Sequence, residues 1–163
     1  MNKSHIINRN YILLIGCLVA LIDQISKFFI YSILKDGEIF VVLPKLIQFR
    51  IAKNYGAAFS ILSSSTLLLA IISLIASSVI IIYTRYAKPM HKLQGLGLSF
   101  LLGGCIGNGI DRWLLGYVID FIDLIPIDFP IFNIADIAIN IGVILLFLSK
   151  IIKSKGYNHI RHI

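Results

Sequence analysis

Charge is scarce in this chain. Only 14% of its 163 residues are Asp, Glu, Lys or Arg, against roughly 25% in a soluble domain. The hydrophobic share is 58%, more than a water-soluble fold of this length can bury. Soluble classes are thereby excluded, and an integral membrane protein is indicated. Acidic residues are the scarcer sign, eight against fifteen Lys and Arg, for a net charge of +7. In a membrane protein such an excess marks ends that face anionic lipid on the cytoplasmic side. No basic, aromatic-interleaved patch or nucleic-acid motif is present, so no nucleic-acid partner is expected.

Cysteine is nearly missing. Cys17 and Cys105 stand alone in apolar segments and form no Cys-x-x-Cys pair. They read as packing residues, not as a zinc or redox site. The four histidines, His5, His91, His159 and His162, lie at the termini or beside residue 91, away from the acidic residues. A Ser-His or Cys-His nucleophile within the membrane is therefore excluded. His-Glu-x-x-His is lacking, as is the Asp-Thr-Gly or Asp-Ser-Gly turn of soluble aspartic proteases. No metal and no cofactor is expected, and there is no internal repeat or low-complexity tract.

What is present is a set of four apolar runs, at about 11–34, 66–83, 93–112 and 132–150. Each is close to the ~20 residues that cross a bilayer. Leu14-Ile15-Gly16-Cys17 resembles a lipobox, but only Tyr11 to Ile15 precede the cysteine as an apolar stretch. A signal core needs roughly 7–15 residues, so the run is read as a span. The second span carries no charge and is closed by Arg85, Lys88, Pro89 and Lys92. The third is rich in glycine (95, 97, 103, 104, 107 and 109), which lets helices approach closely in lipid. Over about 36–59, Ile47, Phe49 and Ile51 alternate with Gln48 and Arg50, a half-buried strand pattern. Gly37 and Pro44 punctuate it. The expected fold is an all-α membrane bundle of four transmembrane helices with a small extracytoplasmic β platform, in one domain over 1–163. Nine Lys and Arg fall on the side of the termini, including Lys3, Lys153, Lys155 and Arg161, and five on the other. Both termini are thus expected in the cytoplasm.

The chemistry concentrates in polar residues within or beside the spans. Asp23 and Lys27, four apart, share a helix face and can pair. They read as a buried ion pair that fixes packing, or as a substrate-facing group. Asn108, Asp111 and Arg112 group at the outer end of the third span, as a helix anchor or as a site for a phosphate or carboxylate. Asn133, Asp136 and Asn140 make one stripe at i, i+3, i+7, expected to face the bundle interior. A carboxylate inside a span is costly and usually functional. Its partner is one of Asp120, Asp123 and Asp128, and spacing alone leaves the three open. Two close carboxylates cannot both ionise easily, so one serves as acid and the other as base. Such a pair can activate water against a peptide carbonyl. A proton-coupled transporter using Asp136 as a relay, and a structural subunit using the polar residues as helix glue, are the other classes this pattern allows.

Five blocks, in order, resemble the bacterial lipoprotein signal peptidases, the type II signal peptidases. They are Asp23-Gln24-Ile25-Ser26-Lys27, Asn54-Tyr55-Gly56-Ala57-Ala58-Phe59, the glycine-rich stretch Gly103 to Arg112, Val118-Ile119-Asp120-Phe121, and Phe132-Asn133-Ile134-Ala135-Asp136. The resemblance covers about residues 10 to 150, with Cys105 where alanine is usual. It implies an aspartic endopeptidase of the bacterial cytoplasmic (inner) membrane, with its site near the outer face. The substrate implied is a prolipoprotein, cut just before its lipid-modified cysteine, with membrane lipid as surroundings. The resemblance further implies that Asp120 and Asp136 are the catalytic pair. Asn54, Gly56, Asn108, Asp111, Arg112 and Asn133, with Asp23 and Lys27, fall on positions that bind substrate or support the site. A monomer is expected.

Overall fold

The structure, a computed structural model, describes the backbone of residues 6–56 and 65–160, and side chains as far as residue 152. Ala57, Ala58 and Phe59, and the side chains of Lys153, Lys155 and Arg161, lie outside the described residues.

Four helices are long and apolar enough to cross a membrane. They are α1 (Arg9–Ile33), α2 (Thr66–Tyr86), α3 (Lys92–Leu114) and α4 (Ile134–Ile160). Asn8 starts α1 by accepting a hydrogen bond from the Asn10 N–H, which satisfies one orphan donor of the first turn. Ile12, Gly16, Ala20, Asp23, Lys27 and Ile30 are buried on α1. Their three- and four-residue spacing makes one stripe along the helix. Leu21, Ile25 and Phe28 point outward, as side chains facing lipid would. On α2, Leu74 and Ile82 are exposed.

The centre of the bundle is α3, which packs against each of the other three helices. Its small residues make this approach possible. A Cβ on Gly104 would stand 2.5 Å from the Ala135 carbonyl oxygen on α4, and one on Gly107 would stand 2.6 Å from Asp23 Oδ2 on α1. At the end away from the carboxylates, Ile12, Ile80, Met90, Leu98 and Leu102 form an apolar core. Two short strands, β1 (Ile6–Ile7) and β4 (Met90–His91), pair antiparallel there.

At the other end lies a three-stranded antiparallel sheet in the order β2-β3-β5, from β2 (Phe40–Leu43), β3 (Ile47–Asn54) and β5 (Val118–Leu124). The strand expected around Ile47–Ile51 is the first half of β3. The third strand, β5, lies between the third and fourth spans, outside the platform expected over about 36–59. Val118–Phe121 are all buried, so β5 shows no polar alternation to betray it. Gly116 delivers the chain into β5 from the end of α3 with φ +78°, in the left-handed region that suits glycine after a helix. The outer edge of β5 is covered by Phe132, whose N–H donates to Ile122 O at 3.1 Å and whose carbonyl accepts from Ile122 N at 2.8 Å.

A bulge in β3 sorts its polar side chains. Gln48 lies opposite Asp123, but Ala52 lies opposite Asp120, with the register shifting between Phe49 and Ala52. Asp120 and Asp123 are three apart and so point to opposite faces of β5. The extra residue in β3 moves its even-numbered positions from the Asp123 face to the Asp120 face. Gln48 and Arg50 therefore serve Asp123, and Asn54 serves Asp120.

Candidate active site

The site is built from the start of α4 outward. Asn133 is the residue before α4, and Asp136 is the third within it. Asn133 Oδ1 accepts from the Asp136 N–H at 2.9 Å, and Asp136 Oδ2 accepts from the Asn133 N–H at 3.2 Å. This is a reciprocal cap, which ties both side chains to the helix start. Asp136 thus lies half-buried in the first turn of the fourth spanning helix, at its end and not deep within it. An anionic group at this end is favoured by the helix dipole. Asn140 does not join the cluster; it is exposed and donates to its own helix at Asp136 O, 2.9 Å away. Of the stripe expected from this spacing, Asn133 is buried and Asp136 meets Asn108 of α3, while Asn140 alone faces outward.

Asp120 reaches the same point from β5. Its side chain is buried and accepts from Asn133 Nδ2 at 2.6 Å and from Asn54 Nδ2 at 2.8 Å. Asn133 therefore touches both carboxylates, Asp120 through its side-chain amide and Asp136 through its backbone N–H. Asn108 closes the ring: its Nδ2 donates to Asp136 Oδ1 at 2.8 Å and its Oδ1 accepts from Asn133 Nδ2 at 3.0 Å. Burial pushes the Asp120 carboxyl up to about 7, with the charge of Asp136 adding to the rise. Hydrogen bonds from Asn54 and Asn133 and the charge of Lys27 oppose it.

Behind Asn108 lies a buried ion cluster. Lys27 Nζ sits 2.8 Å from Asp23 Oδ2, 2.9 Å from Asp111 Oδ2 and 3.0 Å from Asn108 Oδ1. These three acceptors match the three donors of an ammonium group. The i, i+4 pairing expected of Asp23 and Lys27 is present, with Asp111 as an additional partner. Asp23 Oδ1 accepts from the Ala135 N–H at 2.8 Å, which fixes the start of α4 against α1. Asp111 Oδ2 accepts from the Ile119 N–H at 3.1 Å, which fixes β5. Gln24, which no spacing argument singled out, donates to Asp111 Oδ1 at 2.8 Å and to Gly107 O at 3.1 Å. Its signals in the sequence are its polarity next to Asp23 in an apolar run and its place in the Asp23-to-Lys27 block.

Arg112 leaves this cluster and turns toward the sheet. Its Nη2 donates to Gly56 O at 3.4 Å and its Nη1 to Asn108 O at 3.5 Å, while its buried Nε has no hydrogen-bond partner among the described residues. The Gly56 N–H donates to Asn54 Oδ1 at 2.9 Å, which orients the Asn54 amide toward Asp120.

Of the other two acidic candidates, Asp123 is on the strand, not in a loop. It is neutralised by Arg50 Nε at 2.7 Å and receives Gln48 Nε2 at 2.7 Å. Asp128 is exposed in the link before α4 and meets neither carboxylate. Among the described residues no three His, Cys, Asp or Glu side chains converge as a metal site needs.

The comparisons with known proteins fit this arrangement. The family model for signal peptidase (SPase) II matches residues 15–152. The lipoprotein signal peptidase of Parasynechococcus marenigrum (strain WH8102) is 45% identical over 150 residues, 92% of this chain and 94% of the relative. That of Lactobacillus johnsonii is 41% identical, covering 88% of this chain and 93% of the relative. Two solved structures, each described as a bacterial membrane enzyme studied by the in meso method, superpose on the fold. The first gives a TM-score of 0.83 at 34% identity, covering 90% of this chain and 91% of that one. The second gives 0.79 at 34% identity, covering 91% and 97%. With most of its length matched by the family model and by relatives well above 30% identity, this multi-pass membrane protein belongs to the signal peptidase II family.

Proposed function

We propose that this protein is an aspartic endopeptidase that removes the signal peptide from lipid-modified prolipoproteins, cutting just before the modified cysteine. The observation that carries the reading is Asn133, which holds Asp120 and Asp136 at one point through two different hydrogen bonds. Asp120, pushed up to about 7, keeps a proton that the pair titrates as a unit. Asp136, with its oxygens on the Asn108 amide and the Asn133 N–H, is the proton acceptor. A water between them loses a proton to Asp136 as its oxygen attacks the scissile carbonyl, whose oxygen takes the proton of Asp120. The resulting diol then collapses. Asp136 passes its proton to the departing amine, and a diol hydroxyl returns one to Asp120, so the pair ends as it began. Arg112 and Gly56 flank the approach; the unpartnered Nε of Arg112 is a donor for a substrate carbonyl.

The relatives' name, lipoprotein signal peptidase, supports the substrate class. The charge pattern supports placement in a bacterial cytoplasmic membrane, with both termini inside and the carboxylates near the outer face. The chain acts as a monomer in this reading, since the pair and its supports all come from one copy. A transporter would need its carboxylates near the midplane of the bundle, whereas both stand at one end of it, on β5 and in the first turn of α4.

The test is cleavage of a purified precursor, offered with and without its diacylglyceryl group, and read by mass spectrometry. A single cut before the modified cysteine, made only in the lipidated form, is the expected result. Equal cutting of both forms, or a cut elsewhere, would refute the assignment of substrate.

A further inference from the structure

A cavity lies at the opposite end from the carboxylates. It holds about 550 Å³, within the range of ligand sites. It opens between the start of α1 and the end of α2, closed on one side by β1 and Pro89. From Arg9 to Lys27 along α1 is about 27 Å at 1.5 Å per residue, so the cavity does not belong to the candidate active site.

Its lining is amphiphilic. Arg9 and Lys88 supply two cationic side chains, and no carboxylate lines it among the described residues. Ile6, Ile7 and Met90 supply an apolar wall. Thr84 lies between these zones. It is completely buried, yet its Oγ1 has no hydrogen-bond partner among the described residues. A buried hydroxyl without a partner is expensive and rare in native structures, so its presence in this lining points to a ligand oxygen. Arg9 is tied to the protein by a bond of 3.4 Å from Nη1 to Arg85 O, at the upper limit of useful length. The first turn of α1 carries no acidic residue, so the positive end of that helix adds to the two side chains. An acceptor with several oxygens and a negative charge satisfies all these groups together, and a phosphate ester does so best.

We infer that this cavity binds a phosphate group, with Arg9 and Lys88 pairing its charge, the Thr84 hydroxyl donating to one of its oxygens, and the apolar wall receiving the first carbons of a phospholipid's acyl chains. The site would dock an anionic lipid at the membrane face opposite the carboxylate pair.

Native mass spectrometry of the full chain, released from detergent with dioleoyl phosphatidylglycerol, dioleoyl glycerol or inorganic phosphate, tests this. The parent should retain one phosphatidylglycerol and no dioleoyl glycerol. Arg9→Gln with Lys88→Gln, and separately Thr84→Val, should each lower the retained fraction about tenfold, the effect of losing a charge-assisted hydrogen bond. Thr84→Val keeps the shape of the side chain and removes an unsatisfied hydroxyl. Its lipid-free melting temperature should therefore be no lower than the parent's, which separates loss of binding from loss of fold. Precursor cleavage in detergent should be unchanged in all these variants. If inorganic phosphate binds alone and displaces the lipid at millimolar concentration, with the same dependence on Arg9, Lys88 and Thr84, the phosphate site stands and its ligand is the free anion. Equal retention of dioleoyl glycerol, or parental retention of phosphatidylglycerol by the variants, would overturn the proposal.

Discussion

Asp120 is the residue whose environment has the clearest functional consequence. Its carboxyl is pushed up to about 7 by burial and by Asp136, so it carries a proton below that pH and loses it above. The proposed mechanism requires that proton. Cleavage should therefore fall as pH rises through about 7. In sealed spheroplasts the fall should follow the external pH, because the proposed orientation has the carboxylates facing outward. A rate flat to pH 9, or one that follows the internal pH, would contradict the protonation state or the orientation. Lys27 makes a second prediction at this scale. It is the one cation within bonding distance of both Asp23 and Asp111 among the described residues, and all three are buried. Lys27→Met would leave two carboxylates facing each other without compensation. Breaking a buried pair costs about 3–5 kcal/mol, enough to unfold a marginal domain. Thermal unfolding in detergent measures it; a melting temperature within a degree or two of the parent's would mean the pair contributes nothing. The spacing of Asp23 and Lys27 made their contact legible in the sequence. The involvement of Asp111, eighty-four positions further on, was not, since it depends on how α1 and α3 are set against each other.

At the scale of elements, α3 sets the tolerances. Gly107 brings it against Asp23, so the packing of two helices and the placement of the ion cluster are one constraint. Gly107→Ala would press a methyl into that carboxylate and shift the Ala135 N–H that Asp23 holds. Overpacking of this kind costs about 1–3 kcal/mol. We expect a folded protein with a large loss of cleavage, read as retained helical circular dichroism with a fall in kcat. Full activity would show that α1 yields without moving α4. The helices themselves were legible as apolar runs, and β3 as an alternation. β5 was not, because a strand buried on both sides alternates nothing, and its Asp120 and Asp123 repeat at three like a helix. The bulge in β3 was hidden for the same reason, although it decides which aspartate meets Asn54 and which meets Arg50. Asp136 was legible as a residue of the fourth span, but its place at the very start of that helix was not. Only the start of α4 at Ile134 reveals a capped first turn, in which a carboxylate is favoured by its position.

The whole molecule separates two ends. One carries the sheet, the carboxylates and the ion cluster; the other carries the short β1–β4 pair, the apolar core and the basic residues around the Thr84 cavity. The bundle between them presents apolar side chains such as Phe28, Ile82 and Phe147 outward, as a bilayer requires. In this arrangement Asp120 and Asp136 arrive from different elements, and their meeting at Asn133 is the central claim. Spacing left Asp123 and Asp128 as rivals to Asp120; the resemblance to the family chose between them. The geometry is consistent with that choice, since Asp123 is already bound by Arg50 and Asp128 is exposed.

The most direct test is the rate of lipidated-precursor cleavage by purified Asp120→Asn, Asp136→Asn and Asp123→Asn, each checked for parental helical content. Loss of general acid–base catalysis should slow the first two by roughly 10²–10⁴-fold, while Asp123→Asn keeps most of its activity. Parental turnover by either Asp120→Asn or Asp136→Asn would contradict the account.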